Sequence, residues 1–289
     1  MSGVQINIDG EFIGAGVNNP KIYNDPRMTD GSLMLLSVGN SVGGFSDAVD
    51  AVQPNIAYRT AALMVGAGDA TTLSPTLAIG PAGATGLGKE ITANGALHIA
   101  AQQDATIINN RGYYLSIPSL IKTYLEENSD HSIYVSAIID ITRAAQNPVA
   151  VTYPVVVLGA TTSQFVNLLT MRDEQLTKRI WNDYSDGYNA AGPQIISRAY
   201  SETTGTPTSM GAHMVPWGAV GTFGTIMSSN TDDIPSFALY ALHIVDLTVA
   251  GITAADQAAK DAAYYAAAIA TGGVIESDTL TAPATLIGV

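Results

Sequence analysis

The sequence predicts a mainly β chain, an antiparallel two-sheet sandwich carrying two helices, and three observations lead there. Strand-like apolar runs follow one another from about residue 95 to 245 with only one short helical pattern among them, which argues against alternating βαβ units. The segment SIYVSAIIDIT places Ile133, Val135, Ala137, Ile139 and Ile141 on one face of a strand and Tyr134, Ser136, Asp140 and Thr142, with Ile138, on the other. Only 13% of residues are charged while 47% are hydrophobic, a balance that suits a packed β protein with neutral polar loops and not a disordered chain.

Residues 1–72 are rich in Asn, Gly, Pro and Asp early on and then hold apolar runs broken by glycine pairs, GSLMLLSVGN and NIAYRTAALMVGAG. They are assigned to an N-terminal arm and attachment region with short strands or one short helix. The main domain spans 73–282. GALHIAA and RGYYLSIP read as short strands, and a helix near 119–128 begins with Ser119 as N-cap and buries Leu120, Ile121, Tyr124 and Leu125. PVAVTYPVVVLG, SQFVNLLTM and PQIISRAYSE continue the strands, with Pro154 at an edge or bulge. Trp217 in MVPWGAVGTF is expected at the rim of the sandwich.

The last strand begins FALYALHIVDLT. Its Leu242 and Ile244 are expected to face one way, and Phe237, Leu239 and Val245 the other. A helix near 253–271 starts at Thr253, with Asp256 completing a capping box, and ends at Gly272 and Gly273. Ala255, Ala258, Ala259, Ala262 and Ala266 would let it approach a surface closely, with Tyr264 and Tyr265 adding larger contacts. Residues 283–289 form a C-terminal tail.

Twenty-five acidic against twelve basic residues give a formal charge of −13, which repels phosphate backbones and excludes nucleic acid as a partner. With no cysteine, thiol catalysis, thiolate metal sites and disulfides are excluded together. The first residues, MSGVQINIDGEF, lack a secretory pattern and no run reaches the length of a membrane span, so a soluble product made in the cytoplasm is expected.

GATGLGKE (83–90) matches G-x-x-x-x-G-K, but Glu90 stands where a phosphate loop needs Ser or Thr and the turn pair Asn94-Gly95 stands where a helix should start. A glycine-rich surface loop is the reading. Ser119 and Lys122 share the S-x-x-K spacing without its companion motifs. His98, His131, His213 and His243 show no zinc spacing and read as hydrogen-bonded core or sheet histidines. Adjacent acids such as Asp173 and Glu174, Glu126 and Glu127, or Asp232 and Asp233 would point to opposite faces of a strand and cannot flank one glycosidic bond. No catalytic residue, metal or cofactor is assigned. The candidate ligand site is WNDYSDGYN. There Trp181, Tyr184 and Tyr188 offer flat faces to sugar rings, and Asp183, Asp186 and Asn189 offer hydrogen bonds. An oxygen-rich turn of this kind also suits calcium, although its spacing is not that of an EF-hand.

Taken together, HSIYVSAIIDITR, SQFVNLLTMRDEQ and YALHIVDLTVAG (240–251) resemble the concanavalin A-like, laminin-G-like jelly-roll domains of tailed-bacteriophage virion proteins, over about residues 73–282. The resemblance implies a jelly-roll sandwich and a non-enzymatic virion structural protein, a peripheral tail or baseplate component that binds host-surface glycan. A capsid decoration or assembly protein with the same sandwich is the alternative, and a glycan-cleaving enzyme ranks below both. Other virion proteins, contacted through the N-terminal arm, and further copies of the chain are the expected partners.

Overall fold

Eleven strands and five helices make up the described part of this computed structural model, which comprises residues 25–38, 44–103, 110–146, 154–160, 163–169, 190–200, 210–219 and 234–288. In chain order the elements are β1 (Ser32–Ser37), α1 (Tyr58–Val65), β2 (Leu77–Ile79), β3 (Leu87–Ile91), β4 (Leu97–Ala101), β5 (Arg111–Ser116), α2 (Ser119–Glu127) and β6 (Ile133–Arg143). Then follow β7 (Pro154–Ala160), β8 (Ser163–Leu169), β9 (Gly192–Tyr200), β10 (His213–Ala219), β11 (Ser236–Asp246), α3 (Leu247–Ala250), α4 (Ala254–Ile269) and α5 (Pro283–Ile287).

All strand pairs are antiparallel, as the predicted sandwich requires. The large sheet runs β3-β4-β11-β6-β9, and β1 adds to β11 on the edge that β4 leaves open. A three-stranded sheet, β10-β5-β2, and the β7-β8 hairpin complete the set. β11 therefore lies in the interior of the large sheet, and all eleven of its residues are buried.

The alternation predicted for β6 holds. Ser136 on its even face bonds to α4, while Ile133, Val135, Ala137, Ile139 and Ile141 join the main core. β11 departs from the expected alternation. Phe237 pairs with Ile141 and Leu239 with Ile139, then the register shifts, so that Leu242 pairs with Ala137 and Ile244 with Val135. Directly paired residues share a face, so Phe237, Leu239, Leu242 and Ile244 all point into the core and Val245 points out. A bulge at Tyr240 reverses the parity that simple alternation assumes.

Trp217 is likewise not at a rim. It is 1% exposed, stacks on Phe237 with ring centroids 5.1 Å apart, and donates its indole N–H to the Phe237 carbonyl at 3.3 Å. It joins the small sheet to the large one. Pro154 opens β7, a position that needs no ladder donor.

Both predicted helices form, with differences at their ends. Pro118 is the N-cap of α2 and Ser119 is its first residue; the buried face is Ile121, Tyr124 and Leu125. Thr253 caps α4 with the full reciprocal box to Asp256, but the helix stops at Ile269, short of Gly272. The alanine stripe does not form the docking face: Ala255, Ala259, Ala262 and Ala266 are exposed, and the buried residues are Gln257, Asp261 and Ala268. Large-sheet groups explain the reversal, because its outer face carries polar side chains that polar helix residues satisfy.

β1 and α1 come from the segment assigned to the arm, and β1 is fully buried against β11. α5 comes from the expected tail and lies directly on β3. A Cβ at Gly88 would meet the Leu286 carbonyl oxygen at 2.1 Å, so only glycine permits that approach.

Candidate functional site

Trp181, Asp183, Tyr184, Asp186, Tyr188 and Asn189 lie outside the described residues, in the connection from β8 to β9. Chemistry-bearing groups that do come together sit elsewhere, in three histidine–carboxylate clusters on and beside the outer face of the large sheet.

The first cluster lies under α4. His243, from β11, has its Nε2 3.1 Å from Ser32 Oγ and its Nδ1 3.2 Å from Asp261 Oδ1. Ser136 donates to the other Asp261 oxygen at 2.7 Å, and the Gln257 amide nitrogen lies 3.2 Å from both His243 Nδ1 and the Arg27 carbonyl oxygen. Serine, histidine and aspartate are thus linked in the order of a hydrolase triad. Yet Ser32, His243 and Asp261 are 0%, 1% and 1% exposed, and Ser32 Oγ already accepts the Thr29 N–H. A nucleophile needs a path to substrate; here β1 and α4 close over it, and the three groups tie helix to sheet.

Arg27, also 1% exposed, continues this cluster. It grips Asp25 with Nε and Nη2 at 3.0 and 2.7 Å, donates to Ser37, and lies 3.6 Å from the centre of the Tyr264 ring. Burial pushes the Asp261 carboxyl up, but the bonds and charge of His243, the Ser136 bond and the Arg27 charge outweigh it and hold the group below its ordinary value.

The second cluster lies under the chain's last segment. His98, from β4, is fully buried, with Nδ1 2.8 Å from Glu90 Oε1 and Nε2 2.8 Å from Thr142 Oγ1. Glu90 also accepts the N–H and hydroxyl of Thr281, at 2.8 and 2.6 Å. Nearby, Asp278 accepts from the Thr92 hydroxyl, the Asn94 N–H and the Tyr240 hydroxyl, all within 2.8 Å. Burial lowers the His98 pKa against the opposing pull of Glu90. For Glu90 burial acts upward and is outweighed by the bonds from His98 and Thr281, leaving the carboxyl below its usual range. Asp140, half-buried between them, is raised by burial and by Asp278, with His98 opposing.

In the third cluster Asp246, fully buried at the end of β11, accepts from Tyr124 at 2.8 Å and caps α3 through the Val249 N–H. His131 Nδ1 lies 2.6 Å from the same carboxylate. Beside it a cleft of about 320 Å³ opens between Ser132, Thr248, Ile252 and Thr253. Its threonine hydroxyls are in use: Thr248 accepts the Ser132 N–H and Thr253 caps α4.

His98 and His243 are thus the hydrogen-bonded sheet histidines expected from the sequence. The glycine-rich loop leads into β3 and a hairpin closed over Thr92–Gly95, so no helix follows it. Lys122 lies 3.9 Å from Glu126, which accepts the Met210 N–H. Among the described residues no group of three or more His, Cys, Asp or Glu is placed to hold a metal ion, and no helix is long and apolar enough to cross a membrane.

A scan against models of known families finds no match, and a search of curated proteins finds none. A search of solved structures matches, among others, the binding domain of botulinum neurotoxin DC in complex with rat synaptotagmin II, at 10% identity and a TM-score of 0.39. There the match covers 81% of this chain and 52% of the other. The binding domain of Paraclostridial Mosquitocidal Protein 1 gives 9% identity and 0.37, over 81% and 53%. The chain spans about half the length of each, and at these scores the likeness carries no argument about function.

Proposed function

We propose that the chain is a non-enzymatic structural protein of a tailed-bacteriophage virion, a peripheral tail or baseplate component whose loops engage host-surface glycan. The observation that carries the non-enzymatic part is the use made of its reactive groups. Ser32, His243 and Asp261, and likewise Glu90, His98 and Thr142, have the connectivity of acid–base machinery but spend their hydrogen bonds on fastening the C-terminal segment to the sheet. That leaves a rigid sandwich that presents loops, the arrangement of a binding or assembly module. The virion assignment, and the jelly-roll winding with it, rest on the likeness of residues 73–282 to that family. WNDYSDGYN (181–189) is the segment whose residue types suit a sugar.

The test is binding of the purified chain to a glycan array and to host cells, beside a Trp181→Ala/Tyr184→Ala/Tyr188→Ala variant. Binding that the variant loses supports the reading, and silence in both assays removes the glycan part. Antibody labelling of intact particles decides position: label at the tail supports the tail assignment, whereas symmetric, many-copy labelling of the head moves the chain to the decoration alternative.

A further inference from the structure

Residues 254–288 hold to the sandwich in an unusual way. Among the described residues no backbone-to-backbone hydrogen bond joins them to a strand; apart from the Thr281 N–H, which Glu90 accepts, and the Val274 carbonyl, which accepts from the Asn94 amide, the bonds of this segment's backbone close within the segment or onto Thr253. Docking is mainly through side chains, and about half of the polar bonds converge on Asp261, Asp278 and Glu90. Gln257, Tyr264, Tyr265 and Asn94 supply the remainder of the polar contact, and Ala268 and Ile275 reach the core. The strands beneath are knitted to one another by continuous ladders and an apolar core that involve none of these carboxylates.

We propose that residues 254–288 form a clasp that undocks as one unit, ahead of the sandwich, when its three carboxylate locks are protonated. A carboxylate that accepts two or three hydrogen bonds loses acceptor capacity on gaining a proton, and each of its bonds loses the reinforcement of the negative charge. Titratable and charged groups face each lock. Glu90 faces His98. Asp278 faces Tyr240, Asp140 and His98. Asp261 faces His243, Tyr134 and Arg27, with Asp25 behind the arginine.

Glu90 and Asp261 sit below their ordinary values when docked, so their contribution is complete above about pH 4.5 and falls away as pH drops through the docked values. His98 is kept neutral by burial, so below about pH 6.5 the undocked state gains the proton first and release is favoured. Asp140, raised when docked, works the other way and partly offsets the histidine. Carboxylate-driven release therefore sets in below about pH 4.5 and advances as pH falls through the docked values.

Hydrogen exchange of the full chain from pH 7 to pH 3, with rates divided by the intrinsic rate at each pH, tests this. The amides of α4 are expected to lose at least tenfold in protection while those of β6 and β11 keep theirs. Loss of protection in α4, β6 and β11 together, or full protection of α4 down to pH 3, overturns the proposal. The Glu90→Gln/Asp278→Asn variant is expected to show an open clasp and protected strands already at pH 7, and wild-type protection there also overturns it. The wild-type titration decides the matter alone if that variant does not fold.

Discussion

The two faces of the large sheet are built on opposite principles. The inner face is a dry apolar layer in which Phe237, Leu239, Leu242 and Ile244 meet Trp217 and the odd-numbered residues of β6. The outer face carries Glu90, His98, Ser136, Asp140, Thr142 and His243, and it is covered by a helix whose buried side chains include Gln257 and Asp261. Apolar packing is non-directional and tolerates adjustment. A buried polar seam is directional, and each unmade bond carries the full cost of desolvation. The inner face thus supplies stability, and the outer face fixes where one segment sits.

Substitutions should separate these roles. Trp217→Ala empties the largest side chain of the inner face and is expected to cost about 3 to 5 kcal/mol of global stability, read from urea unfolding; a loss confined to α4 would contradict the division. Asp261→Ala strips partners from Ser136 and His243 and should cost about 1 to 3 kcal/mol. Its signature is local: exchange rises in α4 and not in β6. Removing the capping box with Thr253→Ala should cost about 1 kcal/mol, again read as fraying of α4.

Asp140→Asn tests the sign of the electrostatics. A carboxyl whose value is raised in the fold is destabilising while ionised, so at pH 7 the variant should be slightly more stable than the wild type, by less than about 1 kcal/mol, and the gain should vanish as pH falls toward 4. Thermal melts at the two pH values check it. Ala262→Lys, on the exposed stripe, should change stability by no more than about 0.5 kcal/mol. A larger loss would return the alanines to the docking role that their spacing suggested.

Much of the architecture was legible because strands announce themselves by alternation, and β6 did so through Ile133 to Ile141. The helix α4 was legible through Thr253 and Asp256, since a capping box is local in sequence. Two features were not. One extra residue, Tyr240, reverses the faces of β11, and nothing in FALYALHIVD marks a bulge there. The polar seam was hidden for a different reason. A search for helical docking faces assumes that what is buried is apolar, whereas Gln257 and Asp261 are buried because Ser32, Ser136 and His243 await them. Ser32 and His243 are 211 positions apart, a separation at which no spacing rule operates. His98 and His243 were read as core or sheet histidines because they lack zinc spacing, but their carboxylate partners carry no sequence signal.

The position of β11 bears on how the chain comes to be folded. It is the strand on which β1, β4 and β6 all depend, yet β1 must wait for a partner made more than two hundred residues later, as the pairing of Ser32 with Val245 shows. At roughly 5 to 20 residues per second, that delay during synthesis is on the order of ten seconds or more. Through that interval β1, whose sequence SLMLLS is almost wholly apolar, is an open template for any neighbouring strand. Ribosomes spaced along one message would hold several such templates close together. The large sheet cannot be completed until Asp246 has emerged, and up to that point the nascent chain carries β1 as an open edge.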